Sequence, residues 1–196
     1  MHRPGRRLTQ LYAGLVLYGA SMALQIRAGL GLDPWDVFHQ GVADRTGLSF
    51  GTVVILTGAV VLLAWVPLRQ RPGIGTVSNV FVIGIAVDAS LALLPAAGSD
   101  PVAVAMLLAG VGLNGVASGA YIGAGLGPGP RDGLMTGLVR RTGGSIRVVR
   151  TSIELTVLAV GAALGGTVGL GTVLYALSIG PLVHVLLPRM TIPQVA

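Results

Sequence analysis

Residues 29–36 read GLGLDPWD, residues 125–132 read GLGPGPRD, and this repeated pattern decides the fold of the chain. At an offset of 96 residues, with no gap, 11 of the 25 positions from 29 to 53 are identical. The matches include glycine, proline, aspartate, arginine and threonine, which a shared apolar composition does not align. The sequence therefore predicts an internal duplication within one membrane domain (1–196), with a first repeat at 9–95 and a second at 105–191.

Apolar segments on either side of each motif indicate a membrane protein. Hydrophobic residues make up 53% of the chain and charged residues 10%, whereas a soluble domain carries about 25% charged residues. We predict an all-α membrane protein with six transmembrane helices, because six segments are long enough to cross a hydrocarbon core of about 30 Å. They lie at 9–28, 50–68, 74–95, 102–124, 149–168 and 170–188. The first belongs to a repeat, so it is not interpreted as a cleaved signal.

The two segments that follow the motifs, 35–46 and 131–142, are too short and too polar to span. Their backbone must be sheltered by protein or line a cavity if it enters the lipid. They are predicted to be short helices that are either re-entrant or interfacial, and the sequence leaves both arrangements open.

The arginines predict the orientation of the two repeats. Three spans in each repeat is an odd number, so the second copy is inverted relative to the first. With the N-terminus in the cytoplasm, eleven arginines lie inside and two outside, as the positive-inside rule requires. The inside set is Arg3, Arg6, Arg7, Arg69, Arg71, Arg131, Arg140, Arg141, Arg147, Arg150 and Arg189; the outside set is Arg27 and Arg45. The prediction is a multi-pass protein of the plasma membrane with both termini cytoplasmic.

Composition also excludes several classes of function. The chain has no cysteine, so disulfides and thiolate metal sites are absent. Its net charge of +6 is explained by topology rather than by nucleic-acid binding. Neither a cofactor nor a metal site is predicted. HExxH and GxSxG motifs are missing, and the three histidines are scattered, so we do not expect an enzyme.

The repeated motif supplies the first candidate binding residues. Its glycines allow the backbone to turn at the end of a span, and Pro34 and Pro130 suit the first turn of a new helix. Asp36 and Asp132 would then lie in that first turn, near the positive end of the helix dipole. Each motif either forms part of a substrate or ion site at a broken helix, or merely starts a short helix. The candidates at these turns are Gly29, Gly31, Asp36, Gly125, Gly127 and Asp132.

Ionisable residues inside predicted spans supply the remaining candidates. Asp88 lies in the third span, and the repeat places His184 at the equivalent position of the sixth. A carboxylate within a membrane is costly and points to a functional site or a buried partner. Glu154 is four residues after Arg150, and an ion pair between them would make it structural. Asp33 would cap the helix at the first motif, whereas the second motif has Gly129 there.

The motif GLDPWDV (31–37), followed by TGLSFGT (46–52) and GIGTV (73–77), resembles the YczE/YitT-like family of small bacterial integral membrane proteins. The resemblance extends over nearly the whole chain. It implies a membrane protein and carries over no set of catalytic or ligand-binding residues. The second copy has Arg131 where the first has Trp35, so a site between the copies need not be symmetric.

Two functions are compatible with these features. The first is a transporter of a small solute or ion, with a site between the two repeats and Asp88 as a coupling carboxylate. The second is a non-transporting membrane protein that assists or regulates a partner. The expected partners are the lipid bilayer and an unidentified solute or ion, with no nucleic acid. A homodimer is left open, because small inverted-repeat proteins often dimerise.

Overall fold

The computed structural model describes residues 4–193, which fold into eight α-helices without a strand. Arg3, counted above among the cytoplasmic arginines, lies outside the described residues. The helices are α1 (Pro4–Ala28), α2 (Pro34–Thr46), α3 (Phe50–Trp65), α4 (Ile74–Leu93), α5 (Asp100–Gly123), α6 (Pro130–Thr142), α7 (Ile146–Ala163) and α8 (Leu170–Met190).

The starts of α5 to α8 follow those of α1 to α4 by 96 residues, helix for helix. Backbone conformation repeats at the same spacing. Left-handed residues, with φ from 53° to 127°, occur at matching positions of the two halves. The matched pairs are Gly29 and Gly125, Gly31 and Gly127, Gly47 and Gly143, and Arg69 and Gly165. The two halves thus have the same local structure, although most of their side chains differ.

Helices α1 and α5 form the centre of the molecule and run antiparallel. A Cβ atom at Gly14 in α1 would lie 2.8 Å from the backbone nitrogen of Tyr121 in α5. Towards the other end of α1, Ser21 accepts a hydrogen bond of 2.9 Å from Asn114. Residue numbers rise along α1 as they fall along α5. Glycine at this crossing allows the two backbones to approach closely, as small residues do between membrane helices.

Each central helix packs alongside the last helix of its own half. Gly19 of α1 faces Val87 of α4, and the Arg27 side chain donates to the Leu91 carbonyl, so these helices are parallel. In the second half, Gly115 faces Leu182 and Gly123 faces the carbonyl of Met190, so α5 and α8 are parallel too. The centre of the molecule therefore consists of α1 and α5, with α4 parallel to α1 and α8 parallel to α5.

The two halves exchange backbone hydrogen bonds at the motif turns. Gly171 at the start of α8 donates to the Leu30 carbonyl of the first motif over 2.7 Å. Gly75 at the start of α4 donates to the Leu126 carbonyl of the second motif over 2.8 Å. Each motif is therefore held by the other half of the chain, through bonds at equivalent positions.

The short helices α2 and α6 pack across the third helix of the opposite half. Gly161 of α7 lies directly against the backbone of Val37 and Phe38 in α2. At the equivalent interface, Gly133 of α6 lies against the ring of Trp65 in α3. At the first interface the glycine, Gly161, is on the longer helix α7, whereas at the second the glycine, Gly133, is on the short helix α6. The Trp65 indole also donates a hydrogen bond of 3.0 Å to the Pro130 carbonyl, which fixes its ring across the start of α6.

Three helices, α4, α5 and α8, are long and apolar enough to cross a membrane. A fourth span is possible if α2 and α3, bent by 116°, count as one. Helix α3 ends at residue 65 rather than 68, and a turn over residues 66–69 follows it, in which Arg69 has a left-handed backbone. Helix α7 ends at 163 rather than 168, before the left-handed Gly165. Helix α1 contains two glutamines and is largely enclosed by protein.

Candidate functional site

A cavity of about 280 Å³ lies between the two halves and is lined by residues from all eight helices. Its apolar wall comes mainly from α3, α4 and α8. The polar and aromatic side chains that line it include Tyr18, Asp33, Trp35, His39, Asn79, Ser118, Tyr121, Arg131, Asp132, Arg150, Glu154 and Tyr175. This mixture of a mostly apolar wall with a few convergent polar groups is typical of a small-molecule site.

The two motifs meet at this cavity through their side chains. Arg131 occupies the position of the second motif that Trp35 occupies in the first, and its guanidinium carbon lies 4.8 Å from the centre of the Trp35 ring. That distance allows a cation–π interaction. The guanidinium is also 3.8 Å from Asp33 and 3.8 Å from Asp36, beyond normal hydrogen-bond length. Arg131 is therefore paired loosely with two carboxyl groups and remains one-third exposed.

Helix α2 presents both of those carboxyl groups at its start. Asp33 caps the helix, and one of its oxygens accepts from the amides of Trp35 and Asp36 at 2.9 and 3.1 Å. The other oxygen, Oδ2, is buried without a hydrogen-bond partner among residues 4–193. Asp36 lies 3.1 Å from Nδ1 of His39, one turn further along the helix. The start of α2 is thus a buried cluster of two acids and one histidine.

Helix α6 begins differently, because Gly129 offers no side chain to cap it. Asp132 lies in its first turn and accepts a long hydrogen bond, 3.4 Å, from the Tyr121 hydroxyl. The ring of Tyr121 in turn packs edge-on against Tyr18, with centroids 6.1 Å apart. This side of the cavity therefore has one carboxyl group within an aromatic wall.

A hydrogen-bonded chain fixes the third tyrosine of the wall. The Tyr175 hydroxyl donates to Asn114 over 3.0 Å, and the amide of Asn114 donates to Ser21 over 2.9 Å. These groups connect α8, α5 and α1. The chain holds Tyr175 in place and satisfies Asn114, which is completely buried.

The two equivalent pairs of helices beside the cavity, α3 with α4 and α7 with α8, are packed differently. In the first half, Gly51 of α3 lies against Gly84 of α4, and Asp88 accepts from the Gly51 amide at 2.7 Å. In the second half, α7 does not pack against α8 in the described part of the chain. A Cβ atom at Gly180, the counterpart of Gly84, would meet nothing within 4 Å. Residues of α7 and α8 line the cavity where these helices stand apart.

The structure brings together some of the residues predicted from sequence and separates others. Asp132 lines the cavity, and Asp36 lies directly behind it beside Arg131. Asp88 instead binds the start of α3, accepting also from the Ser49 hydroxyl at 2.6 Å. His184 is exposed on α8 and does not line the cavity. The coupling role suggested for Asp88 has no support in this position, because its oxygens are engaged in capping a helix.

The four motif glycines shape turns rather than the cavity wall. All four have positive φ, a conformation that residues with side chains rarely adopt. A Cβ atom at Gly31 would lie 2.9 Å from the Thr172 hydroxyl, and one at Gly127 would lie 2.7 Å from the Thr76 hydroxyl. These glycines allow each motif to approach the start of the last helix in the other half.

Two features of the site were not foreseen from the sequence. Arg131 had been counted among the arginines on the cytoplasmic side, and its side chain lines the cavity. His39 had been set aside as one of three scattered histidines, although its spacing of three residues from Asp36 places both on one helix face. The ion pair expected between Arg150 and Glu154 is present, at 3.0 Å, beside the opening.

The site offers no obvious place for a metal ion. Among the described residues, no group of three or more histidine, aspartate or glutamate side chains is arranged to hold one. The chemistry available is that of charge pairing, hydrogen bonding and aromatic contact.

Comparison with known proteins places the chain in a family. A family model described as "Family of unknown function (DUF6198)" matches residues 5–188. A protein of Haemophilus influenzae, called uncharacterized, is 38% identical over 91% of this chain and 82% of its own length. The uncharacterized membrane protein YczE of Bacillus subtilis is 36% identical over 96% of this chain and 86% of its own length. YyaS of Bacillus subtilis, also called uncharacterized, is 26% identical over 89% of each chain.

No solved structure matches the chain significantly. The match to YczE confirms the resemblance stated from the motifs. The chain belongs to the DUF6198 family and is a helical membrane protein.

Proposed function

We propose that this DUF6198 membrane protein transports a small solute or ion through the cavity between its two halves. In this proposal the chain spans the membrane six times, through α1, α3, α4, α5, α7 and α8. The two halves form inverted repeats, and α2 and α6 are short helices that shelter the cavity. The C-terminus and the N-terminus both lie in the cytoplasm.

The directions of the helices support six spans. Helix α3 is antiparallel to α4, because Gly51 faces Gly84 and Gly58 faces Val80. Helix α4 is parallel to α1, which is antiparallel to α5. If α1 runs from the cytoplasm to the outside, then α3 runs back to the cytoplasm, α4 runs outward and α5 runs back again. A chain with inverted repeats requires this order.

One observation carries the proposal of transport: α7 and α8 stand apart beside the cavity, whereas the equivalent helices α3 and α4 pack together. Two halves with the same local structure can exchange these roles. If α7 closes on α8 while α3 separates from α4, access to the cavity passes to the opposite side of the membrane. Inverted-repeat transporters alternate their access in this way, by moving one repeat against the other around a fixed site.

The charged groups at the cavity support a site for a polar solute. Ionisable groups within a membrane are costly, face the protein interior or a water-filled cavity, and mark pathways for solutes or protons. Here Asp33, Asp36, Arg131 and Asp132 converge from two motifs that are far apart in the sequence. If the motifs served only to start α2 and α6, then neither Arg131 nor contact between the two motifs would be needed.

Flux measurements on carboxyl variants test this proposal. Purified protein is reconstituted in liposomes that contain the pH indicator pyranine. The liposomes are then challenged with gradients of sodium, potassium, methylammonium, choline, glycine or acetate. We expect a protein-dependent flux of at least one of these, and we expect Asp132→Asn to reduce it about tenfold or more, the effect of losing a charged hydrogen-bonding group.

Asp44→Asn is the matched control, because Asp44 is an exposed carboxyl group on α2, the same helix as Asp36. It should leave flux unchanged, while Asp36→Asn should reduce it. If wild-type protein carries none of these solutes, the alternative of a non-transporting protein that assists a partner is favoured. Equal flux through wild type, Asp36→Asn and Asp132→Asn would show that the cavity is not the pathway.

Topology is tested separately with reporters. We expect alkaline phosphatase, which is active only outside the cytoplasm, to be inactive when fused after residue 193 and active when fused in the α4–α5 connection at Gly98. Green fluorescent protein, which folds in the cytoplasm, should give the opposite pattern. The physical reason is the excess of arginine in the loops assigned to the cytoplasm. An active phosphatase at the C-terminus would contradict the six-span arrangement.

A further inference from the structure

We infer that the solute bound in this cavity is a small organic cation that carries N–H groups, and that it exchanges with protons on the carboxyl groups of the cavity. The inference rests on the proposed function, since it names the class of solute for the same site. It is carried by the unpartnered oxygen of Asp33, the excess of acids around Arg131 and the aromatic wall.

The first observation is the unsatisfied acceptor. Asp33 is 2% exposed, lines the cavity, and uses only Oδ1 to cap α2. Its Oδ2 has no hydrogen-bond partner among the described residues. A buried carboxylate oxygen without a donor is costly, and native structures rarely leave one. The missing partner is a donor. In our proposal a small shift of the Asp33 carboxyl turns Oδ2 to the cavity, where an ammonium or guanidinium group of a ligand supplies a donor and an anion does not.

The second observation is the balance of charge. Arg150 is already paired with Glu154 at the mouth of the cavity. Asp33 and Asp132 line the cavity and Asp36 lies directly behind its wall, and these three carboxyl groups share one guanidinium, that of Arg131. The other titratable groups that face them are His39 and three tyrosines: Tyr18, Tyr121 and Tyr175. With His39 and the tyrosines neutral, acids exceed bases by two.

An excess of two negative charges is costly here, because Asp33 and Asp36 are buried and burying unpaired charge is unfavourable. Protons neutralise the empty site. When a cation enters, it supplies positive charge itself, and a carboxyl group can release its proton in exchange. The charge of the site is then the same with a proton and with the cation bound. Exchange of one for the other couples movement of the solute to movement of a proton in the opposite direction.

The third observation concerns shape and size. Trp35 and three tyrosines surround the charged groups, and aromatic faces attract organic cations. Arg131 itself lies over Trp35, which demonstrates that this ring accepts a planar cation. The cavity of about 280 Å³ is at the lower limit of pockets for drug-sized ligands, about 300 Å³. A cation of a few to about ten non-hydrogen atoms fits this space.

Proton release on binding tests the inference without transport. Purified protein in detergent and weak buffer with phenol red is titrated with methylammonium, guanidinium or tetramethylammonium chloride. Sodium chloride and potassium acetate serve as inorganic and anionic probes. We expect methylammonium or guanidinium to release about one proton for each cation bound, and tetramethylammonium, which lacks N–H groups, to bind about tenfold more weakly.

Variants of single carboxyl groups show which of them bind the cation and which release protons. Asp33→Asn should weaken binding of the releasing cation about tenfold or more, and Asp132→Asn should reduce the number of protons released. Asp44→Asn and Asp88→Asn, whose carboxyl groups do not line the cavity, should behave as wild type. Circular dichroism and thermal unfolding confirm that each variant is folded.

Three results would overturn the inference: no proton release with any organic cation, equal release with sodium, or binding of acetate that depends on Arg131. Each differs from a failure of the proposed function. Proton release without flux in liposomes would mean a cation site that does not transport. Flux of another solute without proton release by cations would mean transport with a different solute class.

Discussion

Replacing Arg131 by glutamine is expected to abolish solute flux and to lower the free energy of unfolding by about 1–3 kcal/mol. The guanidinium is the one cation within 4 Å of both Asp33 and Asp36 in the described part of the chain. Its removal leaves two buried acids to be neutralised by protons alone. The contact with the Trp35 ring is also lost, and with it the direct side-chain connection between the motifs. Thermal unfolding in detergent and flux in liposomes measure the two effects.

A triple variant distinguishes the loss of the positive charge of Arg131 from the loss of its side-chain contacts. Adding Asp33→Asn and Asp36→Asn to Arg131→Gln removes the unpaired acids and should restore most of the lost stability, without restoring flux. Arg147→Gln is the control, because Arg147 is an exposed arginine at the start of α7. If Arg131→Gln alone keeps wild-type stability and flux, then the pairing of the two motifs at the cavity has no role in the protein.

The second large effect is expected at the contact between α6 and α3. Gly133→Val should lower the unfolding temperature by about 5–10 °C, because its side chain would occupy the space of the Trp65 ring. Adding Trp65→Gly should recover much of the loss. The double variant reproduces the pair found at the equivalent contact, where Val37 of α2 lies against Gly161 of α7.

Gly112→Val on α5 is the matched control for this pair of substitutions. A Cβ atom at that position would meet nothing within 4 Å, so the change should leave the unfolding temperature nearly unchanged. The Trp65→Gly variant alone should be destabilised by loss of a buried indole and its hydrogen bond to Pro130. Additive losses in the double variant would contradict the exchange of large and small residues between the two contacts. The unfolding temperatures of all four variants are compared in the same detergent.

Much of the fold follows from the sequence because local rules act strongly at the motifs. Pro34 and Pro130 begin α2 and α6, and Asp33 caps the first while Gly129 leaves the second uncapped. Proline at the first helical position and an acceptor before it are short-range effects that require no knowledge of tertiary structure. The loop glycines are similarly predictable, since positive φ is needed wherever the chain reverses tightly.

The sequence predicts the candidate site only in part, because the main contact of the site joins Trp35 to Arg131, which lies in the other half of the chain. The positive-inside rule places Arg131 on the cytoplasmic side, and only the three-dimensional fold shows that its side chain lies over the Trp35 ring. Asp88 shows a second limit. A carboxyl group within an apolar segment predicts a functional residue or a buried partner, and the partner found here is the start of α3, which the hydropathy pattern does not connect to it. The partner of a buried charge depends on packing, which hydropathy does not encode.

The exchanged bonds between the motif turns also have a consequence for synthesis at the ribosome. Translation delivers Leu30 long before Gly171, so the carbonyl that the first motif offers has no donor until nearly the entire chain has emerged. The first four helices can enter the bilayer, but their loop stays unfinished while the rest is made. Maturation should therefore be a late, all-or-none event. A chain truncated before α8 should be recognised by membrane quality control and degraded, even though its first repeat is intact.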